Sequence, residues 1–317
     1  MKVLVADTLA KEGLELLKKE TELTYDEKIT PEALKEKVKD FDALLVRGRT
    51  KVTKEVIEAG KKLKAIGRAG IGVDNIDVKT ATARKIPVVN APRSSTISVA
   101  EQAFGLMLCL ARDIPRADHT MKAGKWEKKG FEGIELNGKT LGFIGIGRIG
   151  YEVGVRAKAF GMKLIAYDPY IKQEILDPIG CKLVKTLDEV LAVADYITIH
   201  SLLTDETRGM VGKAQFDKMK KGVRIINCAR GAIIQEKALV EALKSGKVAG
   251  AGLDVFEPEP PAPDSELVKL PNVVCTPHIA ANTQEAQVSA GITTAEQIIK
   301  VLKGSKPDFV VNGEIYK

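Results

Sequence analysis

Short aliphatic and β-branched runs alternate with helix-patterned stretches along almost the whole chain, and no other feature narrows the fold as much. In the first third, strand-like runs at 3–6, 43–46, 65–66 and 88–89 are followed by helical patterns at 9–19, 54–60, 77–84 and 98–111. A helix between two strands returns the chain to the same end of the sheet, so the strands pair in parallel and the class is α/β. A second series begins at Lys139 and runs through strands at 140–144, 164–167, 196–200, 224–227, 249–255 and 273–276. That is the strand count of a complete doubly wound sheet. The helical pattern at 282–302 and the extended tail at 309–312 follow this sheet and are too small to form a domain, so they are expected to pack on the first module. A length of 317 residues predicts about two domains. They are expected at 1–98 with 282–317, and at 99–281. Ser98 and Glu101 have S-x-x-E spacing, which predicts a capping box at the start of the long helix.

Composition excludes several classes. Hydrophobic residues make up 44% and charged residues 29%, as in ordinary globular proteins. The longest apolar run, 103–111, is far below the ~18 residues of a membrane span, and the N-terminus has no secretory pattern, so a cytoplasmic protein is expected. Cys109, Cys181, Cys228 and Cys275 are scattered without metal-ligand spacing, so neither disulfides nor a metal site are expected. Five of the seven excess positive charges lie in residues 1–98, where an anionic small molecule could be captured. Nucleic acid is disfavoured: lysines mostly alternate with glutamates, and Trp126 alone interrupts a basic run. Seven Asn and seven Gln against abundant Lys and Glu suggest a thermophilic source.

Gly145-Ile-Gly-Arg-Ile-Gly150 matches G-x-G-x-x-G, a weak signal alone. Here it follows a strand, opens a helix, and precedes Asp168 by 18 residues at the end of the next strand. The glycines of such a unit admit a pyrophosphate to the helix N-terminus, and the acid accepts hydrogen bonds from the adenine ribose. Asp168 would repel a 2′-phosphate, and its neighbours Tyr167 and Pro169 carry no cation, so NAD(H) is favoured over NADP(H).

Candidates for chemistry stand at strand ends. His119, in a polar helical region, reads as a surface residue. His200 closes an apolar strand, where lining a cofactor and ordinary packing are equally plausible. His278 follows Thr276-Pro277 and precedes small residues, which suits a loop that a ligand approaches closely. Arg230 follows another apolar strand, with a buried ion pair as its alternative role. Glu257 reads as a solvated acid; Glu259 sits in a proline-stiffened turn.

Together these residues resemble the D-isomer-specific 2-hydroxyacid dehydrogenase family. The resemblance covers nearly the whole chain and rests on Gly67-Arg-Ala-Gly-Ile-Gly-Val-Asp-Asn-Ile-Asp77, the dinucleotide fingerprint, Asn227-Cys-Ala-Arg-Gly231, Leu253-Asp-Val-Phe-Glu-Pro-Glu-Pro-Pro261 and Thr276-Pro-His-Ile-Ala280. Further motifs, Arg47-Gly-Arg-Thr-Lys-Val-Thr53, Met107-Leu-Cys-Leu-Ala-Arg112, Gly124-Lys-Trp-Glu-Lys-Lys-Gly-Phe131 and Glu135-Leu-Asn-Gly-Lys-Thr-Leu141, are most similar to members acting on a phosphorylated three-carbon acid.

The resemblance implies a Rossmann-type nucleotide domain, a smaller flavodoxin-like lid built from both termini, NAD as cofactor, and a homodimer paired through the nucleotide domains. It implies that Arg230 binds the substrate carboxylate and keto oxygen, that His278 is the acid/base, and that Glu259 is its partner. Cofactor contacts are implied for Gly145, Gly147, Arg148, Ile149, Gly150 and Asp168. The loops after later strands add His200, Ser201, Cys228, Ala229, Arg230, Asp254, His278 and Ala280. Substrate contacts are implied for Arg47, Arg49, Arg68 and Gly70 in the lid, with Lys128 and Lys129 arriving from a partner subunit. The implied reaction is NAD-dependent interconversion of 3-phospho-D-glycerate and 3-phosphooxypyruvate at the entry to L-serine synthesis. The alternatives are a glyoxylate or hydroxypyruvate reductase of the same family and a non-catalytic NAD(H)-sensing protein. With the sequence ending at Lys317, a regulatory amino-acid-binding domain, and serine feedback through it, are not expected.

Overall fold

The structure, a computed structural model, describes residues 1–317 and divides into two compact units, Met1–Ser95 with Ala281–Lys317, and Thr96–Ala280. The first unit holds a five-stranded sheet made of β1 (Lys2–Val5), β2 (Glu22–Tyr25), β3 (Ala43–Val46), β4 (Ala65–Arg68) and β5 (Val88–Asn90), in the order β2-β1-β3-β4-β5. Every pairing is parallel, and the order is that of flavodoxin-like folds. Both faces are covered, which is why Val3, Leu4 and Val5 are all buried. Leu4, Leu44 and Ile66 pack with Leu34 and Ile57 on one face; Val3, Val5 and Leu45 pack with Leu17, Ile298 and Leu302 on the other.

The helix Gln284–Leu302 closes that second face. It lies so near the helix Lys11–Glu20 that a side chain on Gly13 would come within 2.8 Å of the Gly291 carbonyl carbon. The tail at 309–312 guards the sheet edge. Val310 bridges Val89 antiparallel, while the Asn312 side chain accepts from the Val88 N–H at 2.8 Å and donates to the Ile86 carbonyl at 2.9 Å.

The second unit holds β6 (Thr140–Ile144), β7 (Lys163–Tyr167), β8 (Cys181–Val184), β9 (Tyr196–Ile199), β10 (Val223–Asn227), β11 (Val248–Leu253) and β12 (Val273–Cys275). Their order is β12-β11-β10-β9-β6-β7-β8, again parallel throughout. The chain runs outward from β6 to β8 and then returns to β9 on the other side of β6, so a crevice opens where the carboxyl ends of β6 and β9 diverge. The helix Thr96–Arg112 lies against this sheet, and a side chain on Gly252 would meet Leu106 Cβ at 2.9 Å.

Three expectations change. The edge strands β2 and β8 went unforeseen because their half-exposed, four-residue sequences carry little apolar pattern. The long helix begins at Thr96, so Ser98 is a buried interior residue and not an N-cap. Glu101 pairs with Arg156 at 3.2 Å instead of reaching back to cap the helix. No helix is long and apolar enough to cross a membrane.

Candidate active site

The loop after β6 explains its glycines. Gly145 has φ of +76°, and a side chain there would meet the Ser201 backbone at 2.7 Å. Gly150 lies in the first turn of the helix Arg148–Ala159, where added atoms would press on the Gly145 carbonyl at 3.3 Å. Gly147 differs: a Cβ would meet no atom within 4 Å, so the space beside it is open. Arg148 and Ile149 open the helix, in the first turn where N–H groups lack intrahelical partners. Asp168, just past β7, accepts from the Ile146 N–H and the Tyr170 N–H, both at 2.9 Å, which fixes its carboxylate against the glycine loop. Across the switch point, the Ser201 hydroxyl is buried without a hydrogen-bond partner. An open cradle, a fixed acid and an orphaned hydroxyl fit a dinucleotide with a free ribose diol.

His200 is the neutral histidine of this crevice. Burial pushes its pKa down to about 4, and Nε2 lies 2.8 Å from the Thr198 hydroxyl. It therefore lines the crevice without supplying a proton near neutrality. His119 lies in the helix Ile114–Lys122, away from any strand end.

Ionisable side chains gather at the ends of β10, β11 and β12, three adjacent parallel strands. His278 Nδ1 lies 2.7 Å from Glu259 Oε2, and Glu259 Oε1 accepts from the Phe256 N–H at 3.0 Å. The hydrogen bond to Glu259 raises the His278 pKa above the ordinary histidine value, although burial and the nearby Arg230 charge oppose it. Burial works to raise the Glu259 pKa, but the bonds from His278 and Phe256, and the His278 and Arg230 charges, bring it below the usual carboxylate range. The pair thus favours the protonated imidazole over the neutral one, with Nε2 turned from Glu259.

Arg230 is held by its backbone. Asn227, 1% exposed at the end of β10, accepts from the Ala229 N–H at 3.0 Å and donates to the Arg230 carbonyl at 2.9 Å. Gly231 is packed so tightly on Phe256 that any side chain would run into the Phe256 backbone. The arginine loop and the segment leading to Glu259 are therefore in direct backbone contact. Cys228 is buried, and burial pushes its thiol far above the ordinary value, so it packs the crevice wall and does not react. Asp254 is fully buried; its carboxylate accepts from the Thr276 hydroxyl and from the Ile279 and Ala280 N–H groups, all within 2.9 Å. Its place is thus beneath the loop that carries His278. A cavity of about 450 Å³ borders the pair, walled by Phe256, Pro260, Pro261, Val268 and Cys275.

In the first unit, Arg47 Nη2 donates to Asn282 Oδ1 at 3.0 Å, and the Arg68 guanidinium folds over Gly70, whose φ of +148° and missing side chain make room for it. Arg49 is tied to the backbone around it. Its guanidinium donates to the carbonyls of Ala6, Ile29 and Glu27 and pairs with Asp7 at 3.2 Å. Three of its N–H groups thereby donate hydrogen bonds and Nε pairs with Asp7, so Arg49 braces the scaffold of the loop while its side chain stays 52% exposed. Lys128 and Lys129 lie on the exposed segment after the helix Ile114–Lys122, with Lys128 stacked over the Trp126 ring at 5.9 Å.

Sequence reasoning passed over Asn227, Gly231, Thr276 and Gln102. The signal for the first was available: a polar residue ending an otherwise apolar strand needs a partner in the loop that follows.

Comparison with known proteins agrees with this geometry. The model of the family described as D-isomer specific 2-hydroxyacid dehydrogenase, NAD binding domain, matches residues 104–280. The chain is 54% identical over 312 residues to the D-3-phosphoglycerate dehydrogenase of Methanocaldococcus jannaschii, covering 98% of this chain and 59% of that protein. It is 53% identical over 305 residues to the protein of the same name from Archaeoglobus fulgidus, covering 96% and 58%. The chain thus spans somewhat over half the length of these relatives. Among solved structures, a glyoxylate reductase from Paecilomyes thermophila superposes with a TM-score of 0.89 at 34% identity, covering 99% of both chains.

Proposed function

The chain belongs to the D-isomer-specific 2-hydroxyacid dehydrogenases, and on that premise we propose that it interconverts 3-phospho-D-glycerate and 3-phosphooxypyruvate with NAD(H), the entry to L-serine synthesis. The observation that carries the reading is the 2.7 Å His278–Glu259 pair, with the Arg230 charge beside it, at the ends of adjacent strands of a dinucleotide-binding sheet. NAD(H) supplies or accepts the hydride at the substrate's C2.

Arg230 binds the substrate carboxylate through its planar fork and polarises the keto oxygen. In reduction, His278 delivers the proton from Nε2 to that oxygen; in oxidation, the neutral imidazole takes the hydroxyl proton. Glu259 holds the ring orientation through Nδ1 and stabilises the imidazolium. Asp168 selects the unphosphorylated ribose. The first unit serves as substrate lid, and Arg47 and Arg68 receive the phosphate, together with Lys128 and Lys129 of a second subunit. Support for the homodimer comes from Ile114, Met121 and Trp126, which are 49%, 52% and 74% exposed on the second unit. The reading places the protein in the cytoplasm.

The test is a panel of NADH oxidation rates with 3-phosphooxypyruvate, hydroxypyruvate and glyoxylate, and of 3-phospho-D-glycerate oxidation with NAD and NADP. We expect at least about a tenfold advantage in kcat/KM for the phosphorylated acid, the effect of one well-placed ion pair. Equal or faster glyoxylate reduction would move the chain to that reductase class, which the structural likeness to a glyoxylate reductase favours. Arg230→Ala should lower turnover by roughly a hundredfold or more; an NAD(H)-sensing protein would show no turnover to lose.

A further inference from the structure

The backbone of the acid–base histidine adopts a conformation that its residue type disfavours, and side chains other than Glu259 hold it there. His278 has φ of +52°, the left-handed region, in which Cβ crowds the carbonyl that follows. Glu259 fixes the imidazole but no part of this backbone. The backbone is fixed from below by Asp254, which accepts from the Ile279 N–H at 2.9 Å, the Ala280 N–H at 2.8 Å and the Thr276 hydroxyl at 2.5 Å. These donors stand on both sides of His278, so one buried carboxylate clasps the loop across it.

Pro277 brings no N–H, so on the preceding side Asp254 is met by the Thr276 hydroxyl, beside the backbone bonds from the Thr276 N–H to the Leu253 carbonyl at 2.9 Å and from the His278 N–H to the Thr276 carbonyl at 3.0 Å. A hydroxyl can donate and accept together. While donating to Asp254, Thr276 Oγ1 accepts from Gln102 Nε2 at 3.1 Å. Gln102 stands on the helix Thr96–Arg112, between Ala100 and Ala103, both 0% exposed, so its own position is set by the core. With the Gln102 amide directed at its lone pair, the hydroxyl proton points to Asp254, and the loop is referenced to the longest helix of the unit.

We propose that Thr276 and Gln102 are positioning residues for His278, completing with Asp254 a hydrogen-bonded latch that keeps loop 276–280 in the left-handed turn from which the imidazole reaches Glu259. The proposal rests on the acid–base role given to His278 above. Without the hydroxyl, a buried carboxylate loses a donor, the Gln102 amide loses its acceptor, and the turn relaxes toward ordinary backbone angles.

Thr276→Val keeps the side-chain shape and removes the hydroxyl; Thr276→Ser keeps the hydroxyl. Thr276→Val should lower kcat for keto-acid reduction by roughly tenfold to a hundredfold, the effect of a displacement of about 1 Å at a reacting group. The Kd for NADH, read by fluorescence, should stay within about twofold, and Thr276→Ser should restore most of kcat. Gln102→Leu should lower kcat in the same direction and, because it touches the latch from outside, serves if Thr276→Val does not fold. An unchanged kcat in Thr276→Val, or a Thr276→Ser variant as slow as Thr276→Val, overturns the latch. A second readout needs no turnover: in nitrogen-15 histidine spectra, the Nδ1 proton shared with Glu259 should broaden or vanish in Thr276→Val, while the His119 and His200 signals stay. A wild-type protein inactive on every 2-keto acid would sink the activity reading alone, and survival of that proton signal in Thr276→Val would sink the latch alone.

Discussion

Replacing Glu259 by Gln removes one charge from the acid–base pair and leaves its shape, so the effect on each direction of the reaction follows from proton linkage. The 2.7 Å contact between His278 and Glu259 is a charge-assisted hydrogen bond, a class worth ~1.5–3 kcal/mol. Both side chains are more than a third exposed, 48% and 37%, so solvent screening argues for the low end, about 1.5 kcal/mol. That is about tenfold in the ratio of imidazolium to imidazole at a fixed pH. Glu259 raises the His278 pKa, so its neutralisation lowers it. Keto-acid reduction needs the protonated ring, and its alkaline limb should move to lower pH, with a loss of about tenfold on that limb. Hydroxy-acid oxidation needs the neutral ring, and its acid limb should move to lower pH as well, while the ratio of the two directions at any one pH stays fixed by the equilibrium constant as long as cofactor affinities are unchanged. The assay is the pH dependence of kcat/KM in both directions, followed by NADH absorbance. The reasoning is refuted if both limbs stay in place.

Three further outcomes follow from the same geometry. Gly231→Ala must displace Phe256 and with it the loop that holds Glu259, so it should destabilise the second unit by ~1–3 kcal/mol and slow turnover together, read by denaturant melts and initial rates. Arg49→Ala should act through stability, because Ala6, Ile29 and Glu27 lose a charged donor; a loss of ~1–3 kcal/mol with an unchanged substrate KM is expected, and a raised KM at unchanged Tm would return Arg49 to the ligand. Asp168→Ser should lower kcat/KM with NADH by about tenfold and narrow the gap to NADPH, since the carboxylate that repels a 2′-phosphate is gone; a ratio of the two cofactors that stays fixed contradicts its assigned role.

Much of this site could be read from the chain because parallel strands place all their carboxyl ends on one edge. Arg230 after β10, Asp254 after β11 and His278 after β12 were bound to share that edge once those segments formed neighbouring strands. The glycine loop and Asp168 were legible for a similar reason, since one strand–helix–strand unit contains them and its geometry is local. The bracing role of Arg49 was not legible, because a cationic residue in an anion-binding context looks the same whether its guanidinium faces solvent or three backbone carbonyls. The Ser98 cap failed because S-x-x-E spacing recurs inside helices, and the helix start is set by where the chain enters the second unit at Thr96.

By itself the sequence determined the α/β class, the alternation that builds both sheets, and the dinucleotide unit, because each depends on residue order and short-range periodicity. The tertiary structure decided which polar groups meet. The clasp of Asp254 on the His278 loop joins residues 22 to 26 positions apart, and the Gln102 bond to Thr276 spans 174. No local pattern encodes such pairs, because a buried hydrogen bond is fixed by the direction from which two elements approach, and that direction exists only once the sheet and its covering helix are packed.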